Sequence, residues 1–215
     1  GDIVGYGADP VACLEKVKSL CAKSPNDKKA IVIGNHDAAA AQSGLTNMNR
    51  YAEEALEWTR KRLSTSARIE LASLPLSWQL NEEIILVHAS PRQPEVWPYI
   101  MDTFDIRLAM EKVHQKICFV GHTHSPLIAE IPPGEKPHMI RSEGAGLNPG
   151  SRYLINAGSA GQPRDSDPRG SYVIYDTERG TVERFRFEYD IPAAQEKIIR
   201  AGLPSILAQR LAAGF

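Results

Sequence analysis

The stretch KICFVGHTHS (residues 116–125) indicates the fold class of this 215-residue chain. It begins with a short apolar run, Ile117 to Val120, which predicts a buried strand that ends at Gly121. His122 and His124 follow directly, in the loop that leaves the strand. Ligand sites of α/β sheets gather at the carboxyl ends of strands, so the stretch predicts an α/β fold with a site at this edge.

The same pattern, an apolar strand followed by a polar loop, recurs along the chain. KAIVIG (29–34) reads as a buried strand and leads into the loop GNHD, which carries Asn35, His36 and Asp37. EIILVHAS (83–90) delivers His88 at a strand end, and RYLINAGS (152–159) ends in the polar loop NAGS. Four such loops could converge on one site.

The other elements follow from apolar spacing and from turn residues. Helices are predicted from Asp9-Pro10 to just before Ser24, over 48–64 (apolar face Ala52, Ala55, Leu56, Thr59, Leu63), over 66–73, over 103–114, and over 192–213 with a break at Gly202–Pro204. The remaining strands are 76–80, paired in a hairpin with 83–90, then 127–132 and a terminal hairpin around 177–180. Residues 133–150 are rich in Gly and Pro and read as mostly loop. The chain shows neither a repeat nor a dividing linker, which predicts one domain over 1–215.

Composition limits the classes of function. Hydrophobic residues make up 42% and charged residues 24%, which is typical of a globular domain. The net charge of −1 offers no overall field for nucleic acid or for a membrane, and we expect neither as a partner. Three widely spaced cysteines do not suggest a disulfide framework; they are expected to be small buried residues in a reducing cytoplasm.

The polar strand ends supply a particular set of metal donors. Three imidazoles (His88, His122, His124), one amide (Asn35) and one carboxylate (Asp2) are available. Such a set suits Zn, Fe, Mn or Ni better than Ca or Mg, and without thiolates it is unlike a structural zinc site. Taken singly, His88 could be a buried structural histidine, GNHD a turn and GHTH a coincidence. Their combination in one chain favours a metal site.

These motifs, in this order, resemble the calcineurin-like metallophosphoesterases. The matching segments are Gly1-Asp2, GNHD (34–37), VHAS (87–90) and GHTH (121–124), and the segments GDIVGYG (1–7) and NAGSAGQPRD (156–165) resemble the small bacterial and archaeal predicted phosphodiesterases. The resemblance implies a four-layer α/β/β/α sandwich. The family's first motif, D-x-H, is absent from the sequence as given. We therefore expect a fold that lacks its first strand and helix.

The resemblance also implies roles for individual residues. Asp2 would bridge two divalent transition metals (Mn, Fe, Zn or Ni). Asn35, His88 and His122 would complete one metal site, and His124 would join the other. His36 would stand over the scissile phosphate, with Asp37 tuning its charge, and Arg164 would bind phosphate or else form a surface salt bridge.

The implied activity is hydrolysis of a small phosphomonoester or phosphodiester by a metal-activated hydroxide. The missing D-x-H motif leaves two interpretations open. Either the sequence is a fragment that lacks roughly 30–45 residues, about one β-α unit, or one metal site is crippled; we favour the fragment and expect the His124 site to be the weaker one. The alternatives are a degenerate binding scaffold with one intact metal site and, less favoured, a protein with a purely structural metal. Pro91, Trp97, Pro98 and Tyr99 could form a wall for a nucleobase or a packed lid, and we favour the lid.

Overall fold

The computed structural model describes residues 1–23, 30–42 and 48–215. Its fold is mixed α/β, as predicted. The described chain divides into two compact units. The first unit comprises Gly1–Trp78 with Asp190–Ala212, and the second comprises Gln79–Tyr189 with Ala213–Phe215. The assignment of residues 1–215 to one domain stays a prediction.

The α-helices among the described residues, in chain order, are α1 (Pro10–Ala22), α2 (Asn35–Ala41), α3 (Arg50–Arg62), α4 (Thr65–Ala72), α5 (Thr103–Met110), α6 (Ile191–Arg200) and α7 (Ser205–Ala213). The strands are β1 (Ser77–Gln79), β2 (Ile84–Val87), β3 (Ile117–Val120), β4 (Leu127–Ile131), β5 (His138–Ile140), β6 (Gly144–Gly146), β7 (Arg152–Asn156), β8 (Gly170–Asp176) and β9 (Thr181–Phe187). A short 3₁₀ helix covers Pro94–Val96. No helix in the described part of the chain is long and apolar enough to cross a membrane.

The first unit is built from α1 to α4, α6 and α7. The predicted apolar face of α3 is confirmed, because all five of its residues are buried. Local caps start two of these helices: the Asn49 side chain accepts from Ala52 N, and the Ser64 side chain accepts from Ala67 N. The α6–α7 pair is anchored by Ile198 and Leu207, which pack with Ala55 of α3 in one cluster.

The second unit contains two sheets. The larger sheet has the strand order β1-β2-β3-β7-β4-β5, and the smaller has the order β6-β9-β8. Strands β2, β3 and β7 run parallel, whereas β4 is antiparallel to both β7 and β5. Consequently the carboxyl ends of β2, β3 and β7 lie at one edge of the larger sheet.

Alternation along the parallel strands gives this unit three layers. In β3, Cys118 and Val120 belong to a cluster that includes Ile106 and Met110 of α5. Ile117 belongs instead to a cluster that includes Val182 of the smaller sheet. Because successive side chains point to opposite faces, the larger sheet lies between α5 and the smaller sheet. The second unit therefore has an α/β/β order, which supplies three of the four expected layers.

Several predicted elements require correction. Residues 30–34 of KAIVIG form no strand, since nothing in the described chain pairs with them as a ladder; Ile33 N instead donates to Pro75 O at 2.9 Å. Lys29 lies outside the described residues. The segment 133–150 is mostly loop, as predicted, and contains two short strands, β5, which pairs with β4, and β6, which pairs with β9. The helix expected over 103–114 ends at Met110.

The cysteines depart in part from expectation. All are free; Cys118 is buried, but Cys13 is exposed and Cys21 is half-buried. The physical reason is the orientation of α1, whose buried residues are Pro10 and Leu14. Burial raises the pKa of the Cys118 thiol to about 12, so this thiol is an inert part of the core.

Candidate functional site

Two of the predicted metal ligands are neighbours in the second unit. His88 follows β2, and His122 follows β3 after one glycine. Because the two strands pair in parallel, with Leu86 opposite Phe119, both histidines emerge at the same sheet edge. Their candidate ligand nitrogens lie within 4.8 Å of each other, and both residues are at least nine-tenths buried. Such a pair can hold one metal ion between two imidazoles.

The backbone of the GHTH loop is strained at its histidines. His122 has φ 63° and His124 has φ 59°. Residues other than glycine adopt this left-handed backbone conformation at a cost of about 1–3 kcal/mol. The loop is held there by Asn156, whose Nδ2 donates to Gly121 O at 2.7 Å and to Thr123 Oγ1 at 2.9 Å. Strain of this kind is common at functional sites.

Hydrogen bonding selects the tautomer of His124. Its Nδ1 lies 2.6 Å from the main-chain carbonyl oxygen of Gln162, which can only accept. Nδ1 therefore carries the proton, and Nε2 keeps the lone pair that a metal needs. This arrangement of a carbonyl behind an imidazole is a usual support for a metal-binding histidine.

Two aromatic side chains pack on the imidazoles. The Tyr99 ring stacks on His122 with 4.2 Å between centroids, and the Trp97 ring meets His88 edge-on at 6.0 Å. Trp97 is half-buried, whereas Tyr99 is 52% exposed. Pro91 and Pro98 are half-buried as well, whereas Tyr99 covers one face of His122 and leaves much of its own ring at the surface. The packed lid stays a prediction.

In the first unit, Asp2 lies against the start of α2. Its Oδ1 accepts a hydrogen bond from His36 N at 2.9 Å, and its own φ of 54° is left-handed. GNHD is thus not a simple turn: Asn35 begins a helix that continues through an alanine run. Gly34 lies so close to Asp2 that a Cβ there would collide with the Asp2 backbone nitrogen and carboxylate.

Asp37 joins the two motifs of this unit. It is fully buried; Oδ1 accepts from Val4 N at 3.1 Å, and Oδ2 accepts from Gly34 N at 3.0 Å. Burial, together with the negative charge of Asp2, raises the pKa of the Asp37 carboxyl. These contacts make Asp37 a clamp between GDIVG and α2, and its tuning of His36 stays a prediction.

His36 has aromatic surroundings in the same unit. Its ring centroid lies 4.4 Å from that of Tyr6, and only 5% of the residue is exposed. Gly5 packs so closely that a Cβ there would come within 2.8 Å of His36 Nδ1. Gly5 of GDIVGYG therefore serves close approach to the GNHD segment.

In the second unit, the side chain of Gln162 orients Arg164. The Arg164 Nε and Nη2 both donate to Gln162 Oε1, at 3.2 Å and 3.0 Å. Gln162 was not singled out by the sequence analysis. Asn156 was also missed by the sequence analysis. This residue ends β7, as the histidines follow the ends of β2 and β3, and that position could have indicated its role.

Comparison with known proteins places the chain in a family. The family model of the calcineurin-like phosphoesterase superfamily domain matches residues 1–180. The chain belongs to the calcineurin-like phosphoesterase superfamily. This superfamily membership implies metal-dependent hydrolysis of phosphoesters.

Individual relatives agree with that assignment. The chain is 37% identical, over all of its own length and 84% of the relative's, to an uncharacterized protein of Methanocaldococcus jannaschii. It is 40% identical to a metallophosphoesterase of Sphaerobacter thermophilus, with a TM-score of 0.83, covering all of this chain and 87% of the other. A hypothetical protein of Pyrococcus horikoshii has the same fold at 21% identity, with a TM-score of 0.80, covering all of this chain and 83% of the other.

The donors of the second unit fit a metal of the kind that this superfamily uses. Two buried imidazoles lie side by side, and a third, His124, keeps its Nε2 lone pair. Imidazole nitrogen suits Mn, Fe, Ni and Zn. The assignment of each ligand to a particular metal stays a prediction.

Gly34→Ala is expected to destabilise the chain by about 1–3 kcal/mol, because its Cβ would displace Asp2 from the start of α2. Urea unfolding measures the change. Gly7→Ala is the matched control, since a Cβ at Gly7 meets nothing within 4 Å. Equal stability of the two variants would contradict the close packing of Asp2 on Gly34.

Proposed function

We propose that this protein hydrolyses phosphomonoester or phosphodiester bonds with one or two bound divalent transition metals. The observation that carries the proposal is the pair of buried imidazoles, His88 and His122, delivered side by side by two parallel strands. Packing alone does not require two adjacent buried imidazoles, one of which, His122, has a left-handed backbone, whereas such a pair suits a metal centre. Superfamily membership supplies the reaction class.

The proposed metal ligands are those that the sequence motifs indicate. Asp2, Asn35, His88 and His122 would hold one ion, and His124 would contribute to a second, with Mn, Fe, Zn or Ni as the candidate metals. A bound divalent cation supplies Lewis acidity and lowers the pKa of water toward about 7. The protein's part is to orient the imidazoles, and the Gln162 carbonyl does so for His124 by accepting from Nδ1, which leaves Nε2 as the nitrogen for a metal.

The proposed proton donor is His36. A protonated imidazole beside the leaving oxygen can give it a proton and so avoid the release of an unstable alkoxide. Tyr6 and Gly5 hold the ring, and Asp2 accepts from its backbone N–H. Arg164 is proposed to bind a phosphoryl oxygen through its planar guanidinium, which Gln162 orients. A small phosphorylated molecule is the proposed substrate and the cytoplasm the proposed location.

Metal removal and replacement test this function. Chelation should abolish hydrolysis of p-nitrophenyl phosphate and bis-p-nitrophenyl phosphate, and added manganese should restore it. The faster of the two esters will show whether monoesters or diesters are preferred. Manganese binding without hydrolysis of either ester would favour the binding scaffold, and activity that survives complete chelation would contradict a metal-dependent mechanism.

A further inference from the structure

Gln162 carries a buried amide group with an unmet hydrogen-bonding need. The residue is 6% exposed, and its Nε2 has no hydrogen-bond acceptor in the described part of the chain. Burial of an amide without a partner is costly, and native structures contain few such groups. Gln162 lies in the loop that supports His124, a proposed metal ligand, and we expect a bound ligand to supply the acceptor that Gln162 Nε2 lacks.

The orientation of this amide is settled by its neighbour. Arg164 has only donors, and two of its nitrogens face one atom of the Gln162 amide at 3.2 Å and 3.0 Å. That atom must be the oxygen, because a flipped amide would set N–H groups against N–H groups. Oε1 therefore faces the guanidinium, and Nε2 is the atom of the amide that remains buried without an acceptor.

The main chain of Gln162 is also held beside the GHTH loop. Gln162 N donates to Ser159 Oγ at 3.0 Å, and the Gln162 carbonyl accepts from His124 Nδ1. The main-chain N–H of Arg164 donates to the carbonyl oxygen of His124 at 3.2 Å. Gln162, Arg164 and His124 therefore form one hydrogen-bonded group in which each residue is bonded to both of the others.

We propose that Gln162 is a substrate-binding residue whose Nε2 donates a hydrogen bond to a phosphoryl oxygen of the substrate, next to Arg164. This inference rests on the proposed function and deepens it. Phosphoryl oxygens only accept, so an amide N–H pair and a guanidinium form a complementary set of donors. Oε1 has the second task of orienting Arg164, which makes the two residues one anion-binding unit.

Two substitutions separate these tasks. Gln162→Met keeps the length of the side chain and removes both the donor and the acceptor. Gln162→Glu keeps an oxygen for Arg164 but replaces the N–H groups by a second oxygen with a negative charge. The probe is inorganic phosphate, titrated into the manganese-loaded chain by calorimetry, with metal content and melting temperature measured in parallel.

Both variants are expected to bind phosphate roughly tenfold more weakly or worse, which corresponds to about 1.4 kcal/mol, with unchanged metal content. The glutamate variant should be the weaker binder, because its carboxylate also repels phosphate. Gln162→Met adds no charge, so a loss of phosphate affinity in this variant at unchanged metal content and melting temperature is the result that a purely structural residue would not give. Gln195→Met is the matched control: the Gln195 Nε2 donates to Ala208 O at 2.9 Å, so its loss should lower the melting temperature without changing phosphate affinity.

The outcomes distinguish this inference from the function on which it rests. Phosphate affinity within about twofold of wild type in a folded Gln162 variant would overturn the inference and leave the proposed function standing. If Gln162→Met fails to fold, the glutamate variant alone decides the matter. A wild-type chain that binds manganese and phosphate but hydrolyses neither ester would overturn the proposed function, while the role of Gln162 in anion binding would still be read from the titration.

Discussion

His36→Ala is expected to lower kcat for phosphoester hydrolysis by about 10²–10⁴-fold while metal content stays at the wild-type level. The reason is the loss of a positioned acid at the leaving oxygen. The structure places His36 in a defined setting, with its ring packed on Tyr6 and its backbone N–H bonded to Asp2. Steady-state kinetics with metal analysis on the same samples measures both quantities.

The leaving group provides a sharper readout of the same variant. An alkyl phosphoester needs protonation more than a p-nitrophenyl ester does, so the alanine variant should lose more activity on the alkyl substrate. A mere packing defect would slow both substrates equally. His114→Ala is the matched control, because His114 is exposed and should be silent. Full activity of His36→Ala on the alkyl substrate would remove His36 from the role of leaving-group catalyst.

His122→Ala is expected to weaken metal binding by more than about 100-fold. Removal of a residue that only hydrogen-bonds to a metal ligand already costs up to about 100-fold, and removal of the ligand itself should cost more. His122 lies beside His88, with 5.1 Å between ring centroids, and Tyr99 stacks on its ring, so alanine would remove one imidazole of the buried pair. Competition with a chromogenic chelator measures the affinity, and elemental analysis measures the stoichiometry. Hydrolysis should fall in parallel with metal content.

The control for this substitution is His138→Ala. His138 is exposed and lies 3.4 Å from Glu130, away from the strand ends of β2 and β3. It should leave metal affinity unchanged. If His122→Ala instead keeps the wild-type metal content and loses only melting temperature, the strand-end histidines are packing residues, which is the alternative interpretation of His88 in the sequence.

The elements that sequence reasoning predicted well are those whose pattern is local. Strand β3 was predictable because a short apolar run ends in glycine, and α3 because its apolar residues repeat at helical spacing. Helix α2 was missed, since its first turn depends on the carboxylate of Asp2, which lies 34 residues away along the chain. The apolar run before it has the composition of a strand, but a strand also needs a partner.

The sequence by itself determined which chemical groups follow which segments: imidazoles come after β2 and β3, and an amide comes after Gly34. Only the tertiary structure decided how they are used. Parallel pairing set His88 beside His122, a distant carbonyl chose the tautomer of His124, and Arg164 turned the Gln162 amide so that its N–H groups remain buried without an acceptor. These choices depend on hydrogen bonds between residues far apart in the chain, and no local pattern encodes such partners.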